Sequence, residues 1–234
     1  MLVSHKYRFI FMRTEKTAST SLSKALYKLH EGSPAMSDGR PPAEGVKKRP
    51  GWAKFSPIHY GALERNLPEM FGLHSHATAA QIRSVLGRDV FDSYYKFAVD
   101  RNPWERQVSL YTHRQHKHGK RVDFDRDMRS WFYRATEYCH LHNWDIYAID
   151  GQIVADKVMH YETLEQDLAE LTQRLEFEKP LDLPRLREYS ADRAHYSTYY
   201  SDVTRQLVAD WYAPEIKALG YAFETASEAE PASS

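Results

Sequence analysis

Two short apolar runs in this chain are each followed by a polar loop and then by a helical pattern. The first run, YRFIFM (residues 7–12), has the length and aromatic content of a buried strand. RTEKTASTS follows it, and Leu22, Ala25, Leu26 and Leu29 then recur at the spacing of one helix face. This order places a loop and a helix N-terminus directly beyond a strand. The fold must therefore contain a strand–loop–helix unit.

A second unit of the same kind begins with YYKFAV (residues 94–99) and continues into Arg101. Asn102 suits a helix N-cap, and Pro103 suits the first helical position. A further strand, KVMHY (residues 157–161), precedes a helix with a leucine pattern. Because strands and helices alternate, the sequence predicts an α/β fold with a central, mainly parallel sheet flanked by helices. Ligands of such sheets bind beyond the carboxyl ends of the strands, where both loops would lie.

Local signals predict several element boundaries. Thr78 begins a capping box and therefore a helix. Asp150 and Gly151 form the favoured two-residue turn of a hairpin. Asp202 is predicted to cap the helix that follows it. Residues 73–76 are predicted to be extended, which would point alternate side chains to one side.

Composition favours one globular domain over residues 1–225, with a long surface loop at residues 31–57 and a flexible tail at residues 226–234. Hydrophobic residues make up 42% of the chain, charged residues 27%, and the net charge is +0. This balance argues against nucleic acid as a partner. Cys139 is the one cysteine, which excludes an intrachain disulfide, and no apolar run reaches the length of a membrane span. We expect a cytoplasmic protein.

The loop that enters the first helix has the composition of an anion site. A helix N-terminus offers backbone N–H groups and the positive end of its dipole, and Lys16 adds a positive charge. The hydroxyl residues nearby are Thr17, Ser19, Thr20 and Ser21. The nucleotide-triphosphate pattern GxxxxGK[ST] is absent, since residues 1–29 contain no glycine. An ordinary capped helix with a surface lysine is the alternative, and the loop alone leaves both interpretations open.

The string KTASTS (residues 16–21), paired with RNPWERQVS (residues 101–109), resembles the sulfotransferases that use 3′-phosphoadenosine 5′-phosphosulfate (PAPS). Within that superfamily the wording is most similar to the carbohydrate 2-O-sulfotransferases of heparan and dermatan sulfate. Arg13 stands three residues before the lysine, and an H-x-H pair follows at residues 74–76, as in those enzymes. Glu15 departs from the pattern, which has proline there, and we expect its carboxylate to face away from the anion.

The resemblance implies a three-layer, P-loop-like fold and in-line transfer of a sulfuryl group from PAPS to a carbohydrate hydroxyl, leaving adenosine 3′,5′-bisphosphate. It implies that Lys16 neutralises charge on the leaving phosphate, and that His76 is the base, with His74 orienting it or the acceptor. It implies that no metal is required. The implied cofactor-binding residues are Arg13, Lys16, Thr17, Ala18, Ser19, Thr20 and Ser21 at the phosphosulfate, and Arg101 and Ser109 at the 3′-phosphate.

Two other functions remain open from the sequence. One is a phosphotransferase of the nucleotide-kinase type, which would need magnesium and a glycine-rich loop. The other is a non-catalytic domain that binds a sulfated or phosphorylated ligand.

Overall fold

A computed structural model describes residues 1–29, 75–118, 123–131, 134, 141–181, 183 and 194–226. The chain forms two compact units. The first comprises Met1–Asp100 and Asn143–Leu183, and the second Arg101–His142 and Pro184–Ser234. The predicted surface loop, the flexible tail beyond residue 226, His74 and Cys139 lie outside the described residues. The expectation of one domain over residues 1–225 stays a prediction.

The first unit is built on a mixed four-stranded sheet flanked by helices. Its described strands are β1 (Leu2–Ser4), β2 (Phe9–Met12), β3 (Tyr95–Asp100), β4 (Ala148–Ile149), β5 (Gln152–Ile153) and β6 (Lys157–His160). The sheet order is β1-β2-β3-β6, with β1 antiparallel to β2 and the other pairs parallel. The carboxyl ends of β2, β3 and β6 therefore share one edge, as predicted. Strand β1 was not predicted from the sequence.

Nine helices follow the chain through its described residues: α1 (Ser19–Lys28), α2 (Ala79–Leu86), α3 (Arg88–Ser93), α4 (Pro103–His118), α5 (Phe124–Arg129), α6 (Asn143–Tyr147), α7 (Leu164–Arg174), α8 (Asp202–Trp211) and α9 (Ala213–Leu219). Short 3₁₀ turns occupy Tyr161–Thr163 and Tyr196–Tyr199. The core of the first unit centres on the sheet, where all four residues of β2 are fully buried. Phe11 stacks on Phe97 of β3 with ring centroids 5.2 Å apart. Leu22 and Leu26 on the predicted apolar face of α1 are also fully buried.

Most of the predicted boundaries agree with the structure, and two do not. Thr78 caps α2 in a capping box, and the β4–β5 hairpin turns at Asp150 and Gly151 with φ of 51° and 75°. The cap of α8 is Ser201 and not Asp202, because the Ser201 hydroxyl accepts the N–H three residues on. Residues 75 and 76 form a turn that leads into α2 and are not extended.

The second unit packs around α4. Asn102 caps this helix through its side-chain oxygen, which accepts the Trp104 N–H at 3.1 Å, as predicted. Trp104, Phe124 and Tyr212 belong to its buried aromatic core. Over the described part of the chain, the structure contains no helix with the length and apolar character that a membrane crossing requires.

Candidate active site

The β2–α1 loop (residues 13–18) follows β2 at the carboxyl edge of the sheet. Lys16 and Ala18 have φ of 61° and 56°, in the left-handed region that glycine normally occupies. Each such residue costs roughly 1–2 kcal/mol when it carries a side chain. The loop therefore holds left-handed backbone at two positions without glycine, and this conformation has an energetic cost.

Helix α1 begins without a side-chain cap. Its N-cap is Ala18, and no side chain accepts a hydrogen bond from the first turn. By contrast, Thr78 and Ser201 cap α2 and α8 in capping boxes. The ordinary capped helix, which the sequence left open, is thus wrong for α1. Its first turn keeps the polarity that attracts an anion.

Arg13 lies against the first turn of α1. Its Nε donates to the Ser19 hydroxyl at 3.3 Å, and its Nη2 donates to the Thr20 hydroxyl at 2.6 Å. These bonds use the hydroxyls as acceptors and hold a positive charge at the helix start. The structure therefore brings together Arg13, Ser19 and Thr20, three of the residues predicted to bind the phosphosulfate.

The Thr17 side chain points into the protein. Thr14 and Thr17 are both fully buried, and their hydroxyls are 2.8 Å apart. The Thr14 hydroxyl donates to the Val99 carbonyl of β3, so the Thr17 hydroxyl donates to that of Thr14. Any contact of Thr17 with an anion would therefore come from its backbone N–H, whereas the sequence interpretation had assigned its hydroxyl.

Asn143, which the sequence interpretation missed, holds the same loop at Glu15. Its Oδ1 accepts the Glu15 N–H at 2.9 Å, and its Nδ2 donates to the Glu15 carbonyl at 3.1 Å. The Nδ2 also lies 3.2 Å from Asp100 at the end of β3, whose other carboxylate oxygen accepts the Tyr147 hydroxyl at 2.6 Å. Asn143 and Asp100 are fully buried. No sequence signal links residues 128 positions apart such as Glu15 and Asn143.

The hydrogen bonds beneath the loop are comparable in energy to its backbone strain. Two left-handed residues cost roughly 2–4 kcal/mol together. The two Asn143 bonds and the two threonine bonds contribute about 1 kcal/mol each. The loop conformation is thus maintained by hydrogen bonds that join Thr14 and Thr17 of the loop to each other and to the Val99 carbonyl, and that join Glu15 to the Asn143 side chain.

His76 is joined to the β2–α1 loop by a hydrogen bond with a defined direction. Its Nδ1 lies 2.9 Å from the Arg13 carbonyl oxygen. Because a carbonyl can only accept, Nδ1 carries the proton, and the lone pair of the neutral ring is on Nε2. His76 is half-buried. This arrangement gives the ring a fixed tautomer in which Nε2 can accept a proton.

Arg101 and Ser109, the predicted 3′-phosphate ligands, belong to the second unit. Arg101 is buried, and its Nη2 forms an ion pair with Glu105 one turn along α4. Its guanidinium therefore lies beside Glu105, and Ser109, one turn further along α4, is half-buried. The other arginine of this motif, Arg106, is fully buried against Glu215 and has a structural role.

A cavity of about 490 Å³ lies at the opposite, amino-terminal edge of the sheet. Arg8, Tyr94 and Glu176 are among its lining residues. It contains none of the predicted site residues. The charge and backbone geometry of the β2–α1 loop are the stronger indication of a binding site.

One of the comparisons with known proteins identifies a family. A family model described as "Sulfotransferase family" matches residues 1–222. A protein of Archaeoglobus fulgidus named "Uncharacterized protein" is 28% identical over 111 residues, which cover 45% of this chain and 87% of that protein. No solved structure matches the chain.

Proposed function

The chain belongs to the sulfotransferase family, and we propose that it transfers a sulfuryl group from PAPS to a hydroxyl group of a carbohydrate. Membership of the family supports sulfotransfer in general. The choice of donor is supported by the composition of the β2–α1 loop and by the RNPWERQVS string. The choice of acceptor rests on the resemblance of KTASTS and the H-x-H pair to carbohydrate 2-O-sulfotransferases. The proposal includes a three-layer, P-loop-like arrangement around the sheet and, since the chain has a single cysteine, a reducing, cytoplasmic location.

One observation carries the proposal more than any other. The β2–α1 loop adopts left-handed backbone at Lys16 and Ala18 and then enters a helix that no side chain caps. Alternations of left- and right-handed backbone turn N–H groups towards one point, as in known phosphate-binding loops. Arg13 and Lys16 supply positive charge at the same place. The residues present therefore fit a phosphosulfate group.

PAPS would supply the sulfuryl group and a phosphate leaving group. Lys16 would place its ammonium where negative charge accumulates as the leaving group departs. The first-turn N–H groups of α1 would hold the phosphosulfate, with the Arg13 guanidinium fixed across Ser19 and Thr20. His76 would accept the proton of the attacking hydroxyl on Nε2, since its Nδ1 is committed to the Arg13 carbonyl.

Arg101 and Ser109 would bind the 3′-phosphate, which distinguishes this donor from ATP. The ion pair with Glu105 would hold the Arg101 guanidinium in one orientation before the nucleotide binds. His74 would orient His76 or the acceptor.

The first experiment measures binding of adenosine 3′,5′-bisphosphate, the donor without its sulfuryl group, by calorimetry and thermal shift. A ligand at a hundred times its Kd stabilises the folded protein by about 2.7 kcal/mol. We expect Lys16→Ala to weaken binding at least tenfold. Lys28→Ala is the matched control, because it removes the same charge from an exposed position at the other end of α1.

Nucleotide selectivity tests the second motif. We expect the wild-type protein to prefer adenosine 3′,5′-bisphosphate over AMP, and Arg101→Ala to lose most of that preference while its affinity for AMP changes little. Stabilisation by ATP with magnesium, without any by adenosine 3′,5′-bisphosphate, would contradict the proposal and favour a phosphotransferase.

Transfer itself is tested with ³⁵S-labelled PAPS and a panel of saccharides. We expect label to reach an acceptor with the wild-type protein. His76→Ala should lose this transfer by a factor of about 10²–10⁴ while it keeps nucleotide affinity. Nucleotide binding without transfer to any acceptor would instead favour a non-catalytic binding domain.

A further inference from the structure

We propose that Asn143 and Thr14 are positioning residues that hold the β2–α1 loop in its donor-binding conformation, a role that glycines fill in other phosphate loops. The inference rests on the proposed function, because it concerns the same loop. It adds two residues that neither the sequence motifs nor the family resemblance identify. Neither side chain is expected to touch the donor, since Thr14 within the loop and Asn143 beneath it are both fully buried.

The contacts fall on both sides of the left-handed residue Lys16. Asn143 binds the backbone of Glu15 through both its N–H and its carbonyl, immediately before Lys16. Thr14 binds the β3 carbonyl of Val99 and the hydroxyl of Thr17, immediately after Lys16. The left-handed residue that carries the predicted catalytic ammonium is thus fixed on both sides.

Asn143 is in turn fixed by the sheet. Its Nδ2 also donates to Asp100, the last residue of β3, and Tyr147 donates to the same carboxylate. An asparagine is required here because it must accept from one backbone group and donate to another. Aspartate would lack the donor for the Glu15 carbonyl and would place a second carboxylate beside Asp100.

The absence of glycine explains why such a device is needed. A loop free to leave the left-handed region at Lys16 and Ala18 would spend only a fraction of its time in the binding conformation. The apparent affinity for a ligand falls by that fraction. Introducing glycine at position 18 should therefore recover nucleotide affinity in a protein that lacks the Asn143 contacts. It should change the affinity little while those contacts hold the loop.

The test is a cycle of variants measured by calorimetry with adenosine 3′,5′-bisphosphate. We expect Asn143→Ala to weaken binding about tenfold, and the added Ala18→Gly to recover about fivefold of that loss. Ala18→Gly alone should change the Kd less than twofold. Thr14→Val should weaken binding, and Thr14→Ser, which keeps the hydroxyl, should not.

Asp156→Ala is the matched control for general destabilisation. Asp156 binds Lys96 through the backbone N–H and the ammonium, at the opposite edge of the same sheet. This variant should lower Tm and leave the Kd within twofold of wild type. Wild-type affinity in folded Asn143→Ala, or no recovery with Ala18→Gly, would overturn the inference.

A readout without the nucleotide separates this inference from the proposed function. NMR measurement of φ at Lys16 and Ala18 should show left-handed values in the wild-type and Asp156→Ala proteins and averaged values in Asn143→Ala. If the wild-type protein does not bind the nucleotide, the proposed function fails, and the φ values still show whether Asn143 holds the loop. Unchanged left-handed φ in Asn143→Ala would show that the loop holds itself.

Discussion

Replacing Arg106 with methionine should separate the structural arginine of the RNPWERQVS segment from its proposed binding arginine, Arg101. Arg106 is fully buried and forms an ion pair with Glu215, whose side chain is only 2% exposed. Its guanidinium also lies over the Tyr212 ring, 4.5 Å from the centroid. Methionine keeps much of the apolar volume but leaves the Glu215 carboxylate buried without the guanidinium that it faces.

The expected cost follows from this burial. Removing one partner of a buried ion pair costs about 3–5 kcal/mol, because the remaining charge has lost its solvation and its counter-ion. For a chain of this size each kcal/mol lowers Tm by about 2–4 °C, so Arg106→Met should lower Tm by roughly 6–20 °C. The double variant with Glu215→Leu should recover most of this loss, since replacing both charges with apolar groups is often neutral.

Thermal unfolding followed by circular dichroism measures all of these variants. Arg101→Ala serves as the comparison and should lower Tm less, because Arg101 and Glu105 form a less buried pair. Well below its Tm, Arg106→Met should keep wild-type nucleotide affinity, whereas Arg101→Ala should not. A Tm within 2 °C of wild type for Arg106→Met, or a double variant as unstable as the single one, would refute the reasoning.

Three further predictions concern ionisation. The Ser201 hydroxyl holds the pKa of Asp125 below its usual range. This carboxylate therefore stabilises the fold at pH values above its pKa in the unfolded chain, and that stabilisation is lost as pH falls through its pKa in the folded protein. Ser201→Ala should reduce the drop in Tm between pH 7 and pH 3. Burial raises the pKa of Tyr212 to about 12. The contribution of its neutral hydroxyl to the stability of the fold is therefore intact below pH 10 and is lost as pH rises towards 12. Absorbance titration of Tyr212→Phe should show one fewer late-ionising tyrosine. Nitrogen NMR should find the proton of neutral His76 on Nδ1, and a proton on Nε2 would contradict the hydrogen bond to Arg13.

Much of the fold could be predicted because its signals are local. The apolar runs at β2 and β3, the glycine that ends α2 at Gly87 and the turn at Asp150 act within a few residues of themselves. The wrong choice of cap for α8 arose because two neighbouring residues carry the same signal. Ser201 and Asp202 are both good caps, and the choice between them depended on which hydroxyl meets the Thr204 N–H.

In the candidate site, the sequence predicted which residue types are present but not how they are arranged. The residue types of a phosphosulfate loop could be recognised in KTASTS, but the conformation of that loop could not. Thr17 illustrates the difference, because a hydroxyl next to Lys16 looked like an anion ligand and is instead buried against Thr14. His76 was identified as a base candidate by the family resemblance, while the nitrogen that carries its proton depends on the Arg13 carbonyl.

By itself, the sequence determined the order of strands and helices, the positive charge at the start of α1 and the family to which the chain belongs. These depend on neighbours a few positions apart, which any stretch of chain carries with it. Only the tertiary structure decided how a loop without glycine holds left-handed backbone at Lys16. That conformation is unfavourable locally and is offset by hydrogen bonds from Asn143 and to Val99, residues that folding alone brings beneath the loop.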